Sequence, residues 1–219
     1  MKTYKAISLI ILILVSSSLI AQEHQTQYEV KGTDLVNKAS EKIRSYSALK
    51  IEFTYEMLNN EMDIDESMSG ILFSAGDKYH MEVGGNLFIS DGESIWNYIE
   101  DMEEVQISNA EDVEGEMNPT SILDDFEEHF RATFIRQDAH NGKRVDIIDL
   151  VPNSPQSFFK YRLALDARTN MVVYSAAYDR HGGTFTYFID EIEENPQIPE
   201  GLFSFDESKY PGVFINDLR

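Results

Sequence analysis

The sequence predicts a mainly β protein, a curled antiparallel sheet or barrel with one helix before it and one inserted in it. Three observations carry that expectation. Apolar and polar residues alternate in many short runs between residues 49 and 205. Turn signals such as Asp91-Gly92 and Asn141-Gly142 separate those runs at close spacing. Helical periodicity shows in only two places, near residues 34–46 and 121–130.

Taken in order, Gln22 to Val30 is polar and reads as a flexible lead-in. Thr33 can cap a helix over Asp34–Tyr46, with Leu35, Val36, Ala39 and Ile43 on one side and Lys38, Glu41 and Lys42 on the other. The period then changes. Leu49, Ile51, Phe53, Tyr55 and Met57 alternate with Lys50, Glu52, Thr54 and Glu56, the pattern of a strand buried on one face. Asn59–Glu66 reads as a turn, and strands are expected over Met68–Ser74, Lys78–Val83, Asn86–Ser90, Ser94–Ile99 and around Val105 and Ile107. Asn109–Asn118 is an acidic loop. After Pro119, Ser121 and Asp124 resemble a capping box before a short helix presenting Ile122, Leu123, Phe126 and Phe130. Further strands follow over Ala132–Gln137, Lys143–Leu150, Phe158–Asp166, Met171–Tyr178 and Thr184–Ile192, and a last short one holds Phe203 and Phe205. Periodicity alone leaves open whether the concave side is filled by its own side chains or holds a cavity.

The N-terminus reads as a cleavable secretory signal. Lys2 and Lys5 make a basic start, Ile7–Val15 an apolar stretch, and Ser16–Ser18 a polar step before cleavage near Ala21. The chain of 219 residues then leaves one domain over 22–219. There is no cysteine, so an exported form has no disulfide framework and no site for a lipid anchor. The formal charge of −21 becomes more negative once the leader lysines are removed, which argues against nucleic acid and against anionic membranes as direct partners.

Catalytic patterns are missing. There is no cysteine nucleophile, Gly-x-Ser-x-Gly elbow, His-Glu-x-x-His pair or glycine-rich phosphate loop. His24, His80, His129, His140 and His181 do not pair at zinc-ligand spacing. Adjacent acids such as Glu127 and Glu128 point in different directions and do not form an acid–base pair. No enzyme activity, cofactor or metal is expected.

The segment Phe88-Ile89-Ser90-Asp91-Gly92-Glu93-Ser94-Ile95-Trp96-Asn97-Tyr98 resembles the Ser-Asp-Gly-x-x-Leu/Ile-Trp-x-Tyr hairpin of the periplasmic outer-membrane lipoprotein carriers, the LolA family. The helix and long strand over Leu35–Met57, the run Gly70-Ile71-Leu72-Phe73, and the closing Phe203-Ser204-Phe205 with Pro211-Gly212-Val213 are similar in order and spacing. The resemblance implies an incomplete antiparallel β-barrel, a strongly curved sheet, closed by a helical lid. It implies a non-catalytic, monomeric periplasmic chaperone that shields lipoprotein acyl chains between the inner and outer membranes. Implied partners are acylated lipoproteins, an inner-membrane release complex and an outer-membrane lipid-anchored acceptor. Cavity-lining residues on this reading are Phe53, Tyr55, Phe73, Tyr79, Met81 and Trp96, with Leu123 and Phe126 from the inserted helix. Trp96 also reads as a plug of the barrel. The family's Arg-Pro-x-x-Phe stretch, whose arginine holds the lid, is here Ala75-Gly76-Asp77-Lys78-Tyr79, leaving Lys78 as the candidate lid contact. Two other readings stand beside this one: a periplasmic lipid or glycolipid carrier or lipoprotein sensor on the same fold, and a structural or adhesin-like exported protein.

Overall fold

Alternation becomes strand at nearly every expected place. The computed structural model describes residues 25–112, 123 and 126–219. The first half of the sheet is β1 (Leu49–Asn59), β2 (Ile64–Ala75), β3 (Lys78–Val83), β4 (Asn86–Ser90), β5 (Ser94–Ile99) and β6 (Glu104–Asn109). The second is β7 (Phe130–His140), β8 (Lys143–Pro152), β9 (Phe158–Asp166), β10 (Val172–Asp179) and β11 (Thr184–Glu194), and β12 (Phe214–Asp217) closes the chain. At the β7–β8 turn, Asn141 and Gly142 have φ of 47° and 76°, the paired positive values of a type I′ turn. The leader, most of the acidic 109–118 loop and the Ser121–Asp124 cap lie outside the described residues.

Three expectations are corrected. The first helix, α1, runs over residues 25–44, so the polar lead-in is helical from Gln25 and Thr33 caps nothing. Gly32 lies inside this helix although glycine is a poor helix former. Its role is space: a Cβ there would lie 2.7 Å from the Phe134 nitrogen, so the bare backbone lets α1 settle onto β7. Among the described residues the inserted helix, α2, spans Phe126–His129, and Phe130 opens β7 instead of belonging to it. Phe203 and Phe205 form no strand. They belong to a strap that crosses the sheet, and the terminal strand is β12.

The twelve strands make one sheet in the order β12-β6-β5-β4-β3-β2-β1-β11-β10-β9-β8-β7. Every pairing is antiparallel except β12 with β6, which is parallel. The order begins at β12 and ends at β7, so the barrel is incomplete. Bulges at Glu52/Phe53, Phe134/Arg136 and Val172/Tyr174 add local bend and twist to the long strands.

Alternate residues face opposite sides, so the sheet has a concave face under α1 and an outer face. On the concave face Val36 and Ala39 of α1 pack with Leu123, Phe126, Ala132, Ile148, Leu150, Leu163 and Leu165. A second cluster joins Leu49, Ile51, Phe53, Leu72, Tyr79 and Met81, and Ile43 of α1 touches both. The outer face has its own cover. The strap crosses β3–β5, where His80 Nδ1 donates to the Leu202 carbonyl oxygen (2.9 Å) and Tyr98 packs on Tyr210 with centroids 4.5 Å apart.

Candidate functional site

Register identifies the site residues. One cross-strand row runs Phe134–Ile148–Leu163–Ser175–Tyr187–Tyr55–Met68, and the next runs Ala132–Leu150–Tyr161–Ala177–Phe185–Met57. A third runs Ile192–Ile51–Leu72–Met81–Phe88. None of these positions carries a charge. These rows make an apolar band from β7 to β4, bordered on the same face by Asp146 opposite Leu165 and by Glu66 opposite Met57.

Helix α1 covers the β7–β9 end of this band and leaves a strip over β10, β11, β1 and β2 only half-buried. That strip holds Tyr55, Met57, Met68, Phe185 and Tyr187. Its aromatic rings form two chains: Phe130–Tyr161–Phe158–Phe185, with neighbouring centroids 5.4–5.7 Å apart, and Phe53–Tyr187–Tyr55, at 5.4 and 4.8 Å. Burial pushes the Tyr79 phenol up to about 12 and raises those of Tyr55 and Tyr187 as well. These groups stay neutral at all physiological pH values and add no charge to the band, and Glu66 at its edge also helps to raise Tyr55. A buried acceptor, Asn97 Oδ1, sits beside Phe88 on the same face without a hydrogen-bond donor.

The structure brings six of the eight expected lining residues to the concave side. Phe53, Tyr55, Tyr79 and Met81 lie on the sheet, and Leu123 and Phe126 pack under α1. Phe73 and Trp96 do not join them. They share the outer-face row Lys50–Phe73–His80–Ile89–Trp96–Ile107, so their selection was off by one residue of alternation. Lys78 also faces outward, exposed beside Asp91, and makes no contact with α1 there. Instead, α1 is held by packing and by hydrogen bonds at its sides and end. Asn37 Nδ2 donates to Glu127 Oε1 (2.7 Å), the Tyr46 hydroxyl to Glu194 Oε1 (2.6 Å), and the Ser47 amide to Asn195 Oδ1 (2.7 Å). Tyr187, Phe185, Met68 and Met57 were missed, although the alternation Phe185-x-Tyr187-x-Ile189 was visible in β11.

A recess of about 560 Å³ lies elsewhere, between the β3–β4 turn and the strap, with Glu82, Glu100, Tyr98 and Tyr210 in its wall. Its carboxylates make it a poor place for hydrocarbon. Among the described residues, no group of three or more His, Asp or Glu side chains is placed to hold a metal ion.

The family model described as outer membrane lipoprotein carrier protein LolA matches residues 44–206, about three quarters of the chain. The chain belongs to the LolA family. An outer-membrane lipoprotein carrier protein of Dechloromonas aromatica is 25% identical over 178 residues, covering 78% of this chain and 82% of that protein. One from Legionella pneumophila is 27% identical over 123 residues, covering 56% of this chain and 59% of its relative, so that match spans about six tenths of the relative's length. The fold is shared with an uncharacterised conserved protein of Thermus thermophilus, at a TM-score of 0.58 and 8% identity over 85% of this chain and 99% of the other. For this LolA-family chain, the matched 44–206 span contains the whole apolar strip, from Tyr55 to Tyr187, but only the C-terminal end of α1.

Proposed function

We propose that this LolA-family protein is a periplasmic carrier that shields the acyl chains of lipoproteins on its concave face and passes them from the inner to the outer membrane. On this reading the leader is removed near Ala21 and residues 22–219 act as one domain. The partners are acylated lipoproteins, an inner-membrane release complex and an outer-membrane acceptor. The observation that carries the reading is the uncharged strip of Tyr55, Met57, Met68, Phe185 and Tyr187, left half-buried beside α1. Each methylene taken out of water is worth about 0.8 kcal/mol, so a lipoprotein with long acyl chains cannot cross an aqueous space unaided. The same figure makes release feasible only if α1 settles back over the emptied strip, replacing acyl contacts with protein contacts. No covalent step is required.

The test is native mass spectrometry of the gently isolated protein together with a fluorescent acyl probe. Co-purified acylated protein supports the carrier. Free lipid or glycolipid alone assigns the second reading, and a protein that binds neither cargo nor probe sinks both. Phe185→Asp is expected to abolish probe binding while costing little stability, because Phe185 is half-buried. Phe126→Asp is expected to lose both, because Phe126 is 2% exposed inside the cluster under α1.

A further inference from the structure

The charge of the chain is sorted along the sheet. Residues 130–180, which form β7–β10 and their turns, hold eight of the 18 Lys and Arg but only five of the 39 Asp and Glu. That stretch is formally +3 in a chain of −21, so the rest carries −24. Register sets many of the cations on the outer face. Arg131, Arg136, Lys143, Lys160 and Arg162 all alternate with concave positions.

Of these cations only Lys143 is without an ion pair among the described residues, and Arg131 Nε lies 3.8 Å from Glu29 Oε1 of α1. Arg162 Nε donates to Asp149 Oδ1 (2.6 Å) and Nη2 to Asp149 Oδ2 (2.8 Å), with Lys160 Nζ 4.0 Å from the same group. Asp138 accepts from Arg136 Nε and Nη2. Rings lie between the cations. His140 stacks on Phe188 at 5.7 Å, Tyr174 packs beside both, and Lys160 Nζ sits 4.1 Å above the Tyr178 ring. Ile135 and Phe159 are exposed on the same strands. On β1 and β11 the sign of the outer face reverses, with Glu52, Glu56 and Glu191.

We propose that the outer face of β7–β10 docks on an anionic phospholipid surface. Lysine and arginine beside amphipathic rings is the combination that suits a headgroup layer, where cations meet phosphates and rings sit at the interface. The acidic remainder does not forbid it. The nearest acidic strand is β11 with Glu191, two strand spacings (about 10 Å at roughly 4.8 Å each) from β9 and three from β8, which is beyond one Debye length (about 8 Å) at physiological salt. The net negative charge instead turns the molecule so that its basic end faces the surface.

The experiment is co-sedimentation of the full chain with vesicles of phosphatidylglycerol or of phosphatidylcholine, at low and high salt. The chain is expected to sediment with phosphatidylglycerol alone, and less as salt rises. Arg136→Gln and Lys143→Gln are exposed changes outside the core clusters, and each is expected to weaken vesicle binding about fivefold. Melting curves check that both variants fold. Glu56→Gln with Glu191→Gln on the acidic side is expected to leave binding intact. Equal binding to both lipids, no binding to phosphatidylglycerol, or undiminished binding by the cation variants overturns the proposal. Binding to polyglutamate without binding to phosphatidylglycerol assigns the face to an acidic protein and overturns it too. Acyl-probe binding on the concave face is expected to be unchanged in every variant, so failure here and failure of the carrier reading are told apart.

Discussion

At Gly70 the concave face is shaped by a missing side chain. A Cβ there would overlap the Phe53 ring and crowd the Glu82 carbonyl oxygen, so the glycine of the Gly-x-Leu run makes room for the largest buried ring on β1. Gly70→Ala is expected to destabilise the fold by about 1–3 kcal/mol through overpacking. Phe53→Leu added to it should recover part of that loss, and urea melts of the three variants measure both. Unchanged stability in Gly70→Ala would show that the ring can move aside. Tyr79 supplies a test by pH. Its phenol is raised to about 12 by burial, against about 10 in an unfolded chain. Between those values the native state holds a proton that the unfolded state has lost, so stability is full below pH ~10 and falls as pH rises toward ~12. Tyr79→Phe is expected to flatten that fall, read from urea midpoints across the range, and Tyr187 accounts for some of what remains because burial raises it too.

Helix α1 shows how one residue sets the position of an element. Alanine at position 32 would favour the helix by about 1 kcal/mol on propensity alone. Packing opposes it, because the new Cβ would lie 2.7–2.9 Å from backbone atoms of Thr133 and Phe134, which cannot swing away. Gly32→Ala is therefore expected to lower the melting temperature, and a rise would show that α1 does not sit this close to β7. The contact is supported along the helix by Tyr28 stacked on Phe134 (6.0 Å, 3°) and by Lys31 Nζ 3.2 Å above the same ring. The misplaced helix start lies beside it. Thr33 has the form of a cap, and only the neighbouring strand reveals a close approach at Gly32. The β strands were far more legible. β3, β4, β5 and β9 fall on their expected limits, because alternation and turn residues are local signals. The Phe203–Phe205 strap was misread for the opposite reason: a short aromatic run looks the same whether it pairs with a strand or lies across one.

Across the whole molecule the open sheet gives two faces of different chemical character. The concave face gathers uncharged rings beside a helix held largely by packing, as a carrier of hydrocarbon needs. The outer face is divided, with the strap over β3–β5 and the sorted charge over β7–β10. Composition reported only the total of −21, which hid a basic end and argued against a membrane that the basic end can meet. The candidate site was half legible in the same sense. Six of its expected residues reached the concave side, while Phe73 and Trp96 fell to the other face. By itself the sequence determined the class of fold, the succession of β1 to β11 along the chain and the family, because periodicity, turn chemistry and motif spacing are written along one dimension. The tertiary structure decided which of two alternating faces is concave, which strands meet across the sheet, where α1 rests and how charge is distributed. Those depend on pairings such as β1 with β11, between residues more than a hundred positions apart, and local pattern does not encode their register.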